Sequence, residues 1–292
     1  MFKRGEVALN HIRVGMKKIA ALLTVHNRKE ETLSCLSLLY KQSIPEGYSF
    51  DVFLTDDGCT DGTPEAIREK YPQVHIIQGD GTLFWNRGMY VAWKAAAKNK
   101  DYDFYLWLND DTMLYQNAIE TLFRIEQEEG GNSIVVGSIC SPKDPNRITY
   151  GGRDKNGLIH PQGEIKPTKN FNGNVVLIPN SIFHVLGFND PFFHHAFGDS
   201  DYGYRAFEHG FRCFVTDVFV GECERHDESR KCWNSKYDII TRFKYLYSPL
   251  GYPPKEVFYY YRKHWGIWQA TIAYFRCQLK TLFPYIKFSH KK

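Results

Sequence analysis

Two stretches of this chain carry side chains suited to chemistry. Asn109-Asp110-Asp111 ends a hydrophobic run, Phe104 to Leu108, in an amide and two adjacent carboxylates. Hard carboxylate oxygens are the donors that Mg2+ or Mn2+ takes, and such ions commonly bind through one or two carboxylates plus substrate phosphates. Asp56-Asp57-Gly58-Cys59-Thr60-Asp61-Gly62-Thr63 repeats the arrangement after another apolar run. A carboxylate there accepts hydrogen bonds from a nucleobase N–H or ribose hydroxyls, and glycine lets a backbone approach closely. Taken alone, the first stretch also reads as a turn with a helix N-cap, and the second as an ordinary Asp-Gly turn. Two paired-acid strand ends in one α/β unit point instead to a nucleotide with a divalent metal.

The elements that must carry these residues read as strands alternating with helices. Strands are expected over Ile19 to Val25, Phe50 to Leu54, Val74 to Ile77 and Phe104 to Leu108. Helical spacing marks Leu33-Leu36-Leu39-Tyr40, the stretch from Pro64 to about Tyr71, and Met89-Ala92-Trp93-Ala96. Short strand–helix alternation predicts an α/β fold, a mostly parallel sheet with helices on both faces, and ligands bind beyond the carboxyl ends of such strands. Farther on, Ile134 to Ile139 and Val175 to Ile178 read as strands, with loops and short hairpins over Ser141 to Pro167. Short helices follow over Ser181 to Leu186 and about Ser200 to His209, the second stopped by Gly210.

The 292 residues suffice for one large α/β domain or two small ones. A net charge of +4 gives no argument for nucleic acid, and no nucleic-acid signature appears. Seven scattered cysteines without a CxxC pair read as reduced thiols, hence a cytoplasmic setting. Neither a signal peptide nor about 18 consecutive apolar residues is present.

Five motifs in order give the chain a resemblance to family 2 glycosyltransferases of the GT-A fold, the group with bacterial rhamnosyl- and galactofuranosyl-type enzymes. They are Leu23-Thr24-Val25-His26-Asn27-Arg28, the Asp56-Asp57-Gly58 segment with Thr60-Asp61-Gly62-Thr63, Asn109-Asp110-Asp111, Gly187-Phe188-Asn189-Asp190-Pro191-Phe192-Phe193 and Gly198-Asp199-Ser200-Asp201-Tyr202-Gly203-Tyr204-Arg205-Ala206. On this basis residues 1–17 are a lead-in, 18–230 a GT-A catalytic domain and 231–292 a C-terminal aromatic and basic helical extension. The resemblance implies an inverting, metal-dependent transfer of a sugar from a nucleotide-diphosphate donor to a hydroxyl of a glycan or lipid-linked acceptor, in bacterial surface polysaccharide synthesis. A sugar nucleotidyltransferase is the alternative enzyme, although its glycine-rich, lysine-bearing N-terminal phosphate loop is missing. A non-catalytic nucleotide- or carbohydrate-binding protein on the same scaffold is the other.

The resemblance assigns residues as follows. Asp57 contacts the nucleotide base, and Asp111 binds Mn2+ or Mg2+ in a DxD-type motif whose first place is Asn109. His226 resembles the histidine that completes the metal site; a lone histidine is also often structural. Thr24, Asn27, Arg28 and Asp110 fall with the donor nucleotide, as do Gly79, Asp80 and Arg87 of a glycine-rich donor loop. Arg87 is equally read as a surface charge on a first helical turn. Asp199 matches the aspartate of the family's Glu-Asp motif and is the general base, with Gly198 standing where glutamate is usual. Asp201 could help orient it, or both acids could cap a helix. Trp85, Asn174 and His195 are expected near the acceptor, Trp85 being also a candidate core tryptophan.

The last third is aromatic and basic, with helical periodicity from Lys255 to about Leu282. Such interleaving suits a membrane interface, making the protein peripheral at the inner face of the cell membrane. It equally suits a helix pair packed on the catalytic domain or across a homodimer.

Overall fold

A computed structural model describes residues 16–225 and 231–286. Most of the lead-in and His226 therefore lie outside the described residues. The first half is β1 (Lys17–Val25), α1 (Lys29–Tyr40), β2 (Tyr48–Asp56), α2 (Thr63–Lys70), β3 (His75–Gln78), α3 (Phe84–Asn99) and β4 (Phe104–Leu108). Then come β5 (Met113–Leu114), α4 (Ala118–Glu128), β6 (Ser133–Ser141), β7 (Asp144–Tyr150), β8 (Gly152–Asp154), β9 (Gly157–Leu158), β10 (Lys166–Thr168) and β11 (Asn170–Phe171). The chain continues through β12 (Val175–Pro179), α5 (Asn180–Leu186), α6 (Gly198–Glu208), β13 (Arg212–Glu222), α7 (Ile239–Tyr247) and α8 (Pro254–Leu282).

The main sheet runs β10-β13-β6-β12-β4-β1-β2-β3. Strands β1 to β4 are mutually parallel, and β6 pairs in parallel with β13. Antiparallel β12 joins the two groups by pairing with both β4 and β6. The expected mostly parallel sheet is therefore present. Successive side chains on a strand point to opposite faces, and both faces here are covered. Leu23, Leu106 and Leu108 join a core with α1 and α4, while Leu22, Tyr105 and Trp107 join one with α3 and α6. All five residues of β4 are buried for this reason.

Strand β13 is absent from the sequence reading, which passes directly from the helix stop at Gly210 to Glu224. It is eleven residues long and pairs beside β6 with two register shifts. The acids after β4 also do not cap a helix. Asn109 to Thr112 form a tight turn into β5, and α4 begins only at Ala118.

Candidate functional site

The parallel strands end at one edge of the sheet, so β1, β2 and β4 deliver His26, Asp57 and Asn109 to Asp111 there. Because β12 runs the other way, the turn before it opens at that same edge, and Asn109 N–H donates to Asn174 C=O at 2.9 Å. The helix α6 starts beside that turn, with Gly173 N–H donating to Asp199 Oδ2 at 3.1 Å. Together these ends line a cleft of about 860 Å³. Of the expected site residues, Thr24, Arg28, Asp57, Trp85, Asp110, Asp111, Asn174, His195 and Asp199 line it.

At one end the two acids share a cation. Arg28 Nη1 lies 3.3 Å from Asp110 Oδ1 and 2.6 Å from Asp111 Oδ2. Burial and the adjacent Asp111 charge push the Asp110 carboxyl up to about 7, against the pull of Arg28. Two carboxylate oxygens converging on one positive charge, open to a cleft, are a donor set that fits a hard divalent ion sharing its shell with phosphates and water. No group of three or more His, Cys, Asp or Glu side chains suited to a metal occurs among the described residues. Asn109 has a different task, since its Oδ1 accepts the Trp85 indole N–H at 2.7 Å. That bond asks for an amide or carboxylate oxygen and no more. Trp85 thus stands both at the cleft and against Trp107, the rings T-shaped at 5.9 Å.

Asp57 lines the cleft while organising the donor loop. Its Oδ1 accepts N–H of Gly81 and Leu83 at 2.9 and 3.2 Å, and its Oδ2 accepts N–H of Phe84 at 2.9 Å. It therefore gathers the orphan N–H groups that open α3. The loop must lie close: a Cβ on Gly58, whose φ is +71°, would sit 2.9 Å from Gly81 Cα. Other expected residues lie outside the lining. Asn27 accepts from Thr60 N–H, and Asp80 is tied to Thr82 in an exposed turn. Gly79 N–H donates to Asp56 C=O, and Arg87 reaches away to the carbonyl of Pro191 at 2.9 Å. Asp56 and Asp61 brace turns, accepting N–H of Cys59 and Thr63, as the plain Asp-Gly turn reading of that motif has it.

Asp199 sits at the opposite side of the cleft. Burial raises its carboxyl above the ordinary range, against N–H bonds from Ser200 and Gly173 and the nearby Arg153 charge. The missing glutamate has a steric explanation: any Cβ at 198 would overlap Oδ1 and Cγ of Asn86. Asn86 is fully buried, and its Nδ2 donates to the carbonyls of Asp190 and Phe193, both at 2.8 Å. Asn189 Nδ2 in turn donates to Asn86 Oδ1 at 2.7 Å. A side-chain amide thus fills the room a glutamate would enter, and backbone N–H groups steady Asp199 instead.

Asp201 is turned away from the cleft. It is fully buried against Arg205 at 2.9 Å, Lys263 at 2.8 Å and His264 at 3.0 Å. Burial would raise its carboxyl, but these three cations hold it below the ordinary range. The same helix α8 ties down the 190–194 loop through Tyr259 and Lys263 on Asp190 and Glu256 on His194. Leu250, Tyr252 and Tyr260 complete the cleft wall, so the C-terminal segment is part of the site. Sequence reasoning passed over these, and over Tyr150, Arg153 and Arg225. Tyr260 is buried between half-buried Tyr259 and Tyr261, and nothing in a run of three tyrosines tells which one faces the cleft.

The sequence profile described as glycosyl transferase family 2 matches residues 21–193, more than half of the chain. No curated protein matches in sequence. Among solved structures, the chain resembles a mannosyltransferase of Pyrobaculum calidifontis in complex with GDP-Man and Mn2+. The TM-score is 0.54 and the identity 15%, over 87% of this chain and 73% of that one. It also resembles Staphylococcus aureus TarS, at TM-score 0.55 and 14% identity over 80% of this chain and 43% of the other. The 1–349 portion of TarS gives 0.56 and 13%, covering 92% and 81%. At such identities the structural likeness speaks for the fold, which is GT-A, while the profile speaks for kinship. The cleft at the carboxyl edge of a GT-A sheet and the matched profile lead to one conclusion: the chain belongs to glycosyl transferase family 2, the nucleotide-sugar glycosyltransferases.

Proposed function

We propose that this glycosyltransferase is inverting and depends on a divalent metal, Mn2+ or Mg2+. Its donor is a UDP- or dTDP-sugar, and its acceptor is a hydroxyl of a glycan or lipid-linked sugar in surface polysaccharide synthesis. The observation that carries the reading is the division of one cleft. A cation-binding acid pair stands at one end, and a partly buried carboxylate held by two N–H bonds stands at the other.

Asp110 and Asp111 would hold the metal, with His226 beyond the end of β13. A bound divalent ion would offset the charge that develops on the diphosphate as it leaves. Arg28 is a second cation at the same end, free to exchange its carboxylate partners for phosphate oxygens. Thr24 and His26 border the nucleotide, and Asp57 keeps the 79–84 loop shaped around it. Asp199 takes the acceptor hydroxyl proton as that oxygen attacks the anomeric carbon. Its raised pKa suits this, since a more basic carboxylate accepts a proton more readily. Trp85, Asn174 and His195 border the acceptor.

Calorimetry with UDP, dTDP and GDP, each with Mn2+, Mg2+ or chelator, tests the donor end on the wild type and Asp111→Ala. Metal-dependent binding of one diphosphate, lost in the variant, is the expected result. Binding of none overturns the reading. Asp199→Asn should keep that binding while donor turnover disappears; retained turnover would remove Asp199 from the chemistry.

A further inference from the structure

Among the described residues nothing covers one face of the C-terminal helices, and its composition selects an occupant. The first half of α8 is bolted to the catalytic unit through Glu256, Tyr259, Lys263 and His264. At Gly266 the backbone leaves helical geometry, with φ +85° and ψ 175°, a conformation open to glycine. The second half then packs on α7 through Leu246 and Cys277. On its other side Trp268, Ile272, Phe275, Leu279 and Leu282 follow at spacings of four, three, four and three, one continuous helical stripe. All five are exposed, Trp268 by 79% and Phe275 by 57%. Ile240 and Tyr247 of α7 are exposed as well, beside an almost wholly apolar groove with Phe243 and Lys244.

We propose that this face docks in the interface of a membrane bearing anionic lipid. A stripe spaced this way also suits a helix seam between two copies, and charge decides between them. Residues 231–286 hold nine Lys and Arg against two Asp and Glu. One of those acids, Glu256, is buried against His194, and the other, Asp238, caps α7. A two-fold interface places the same patch on both sides, so two such faces would meet with like charge and only Asp238, already tied to the N-terminus of α7, to offset it. An anionic bilayer offers the opposite sign along with an apolar layer for the stripe. The helix lies in the surface, since no helix among the described residues is long and apolar enough to cross a membrane. Docking would hold the cleft wall at Leu250, Tyr252 and Tyr260 near the lipid. That last step alone rests on the transferase reading, and it implies an acceptor presented at the bilayer surface.

Vesicle flotation of the full chain tests the docking, with phosphatidylcholine vesicles against the same vesicles carrying phosphatidylglycerol. At least tenfold stronger partitioning onto the anionic vesicles is expected, falling as salt is raised. The double variant Trp268→Ser with Phe275→Ser should lose most of it, as should Lys244→Glu with Arg262→Glu. Nucleotide binding, read by calorimetry on the same samples, should not change, which separates this proposal from the donor reading. Equal partitioning onto both vesicles, none onto either, or salt-independent binding by the wild type would overturn it. So would a dimer in light scattering that Trp268→Ser with Phe275→Ser dissociates, because the face would then belong to a second copy.

Discussion

Gly198→Ala tests the reason that the family's glutamate is missing here. A methyl at 198 overlaps Asn86 Oδ1, and Asn86 cannot swing aside without giving up three bonds: two to the carbonyls of Asp190 and Phe193 and one from Asn189. Overpacking of this kind costs about 1–3 kcal/mol. Each buried group left unsatisfied adds about 1–3 kcal/mol. The lower entropy of an alanine-bearing unfolded chain returns only about 0.4–1 kcal/mol. A net loss of about 3 kcal/mol follows, a large share of the ~5–15 kcal/mol that stabilises an ordinary domain. Asn86→Ala breaks the same bonds but removes the overlap, so the double variant should be no less stable than Asn86→Ala alone. Urea unfolding of the four proteins then gives a coupling of about 3 kcal/mol. Simple additivity, or a Gly198→Ala midpoint equal to the wild type, would refute the steric account.

Further outcomes follow from the charges. Because burial raises the Asp199 carboxyl, its ionised form is reached at higher pH than in an ordinary aspartate. The acidic limb of kcat/KM should therefore lie above the usual carboxylate range, and a limb at or below about pH 4 would contradict this. For His264, burial favours the neutral ring, but Asp201 and Glu208 outweigh it and raise the pKa. Its stabilisation is complete below the unfolded value of about 6.5 and is lost as pH climbs through the raised folded value. His264→Gln should thus lower Tm more at pH 6 than at pH 10; an equal drop at both would place the loss in packing alone. Arg28→Met removes the guanidinium that Asp110 and Asp111 share. In chelator its Tm should fall below that of the wild type, and Mn2+ should raise it more than it raises the wild type; equal Mn2+ shifts would count against a shared cation site.

How much of this was legible in the sequence depended on whether a signal was local. Strand β4 matches its apolar run, Phe104 to Leu108, because burial on both faces leaves no polar residue to blur its ends. Asp57, Asp111 and Asp199 stood out because each belongs to a motif of the family in the family's order, where any one acid alone would read as a turn or a cap. Strand β13 was harder, although Phe214 to Val220 is rich in β-branched and aromatic residues. Asp217 interrupts the run, and the strand's irregular pairing with β6 breaks strict alternation. Arg87 and Asp80 show the opposite failure, where a motif was visible but direction was not. On one loop and the helix turn after it, a shift of a residue sends a side chain to the cleft or to solvent, and only the packed loop decides.

The tail taught the most, because its meaning is non-local. Read as a string, 231–292 is an aromatic, basic appendix that a boundary at 230 cuts off. In the fold, the partners of Asp201 come from α6 and, 62 and 63 residues downstream, from Lys263 and His264. Asp201 begins the turn that follows Asp199, so an ion network reaching into α8 fixes the helix that carries the proposed base. A buried carboxylate with one cation removed costs about 3–5 kcal/mol, enough that α6 would not keep its place if α8 were deleted. The segment after Leu250 therefore has two unlike halves: Pro254 to Trp265 belongs to the catalytic body, and the stretch beyond Gly266 is the part free to meet another surface. Truncation at Gly266 should preserve nucleotide binding, whereas truncation at Leu250 should unfold the cleft. Were both truncated proteins to bind nucleotide equally, the network at Asp201 would have no part in holding the site.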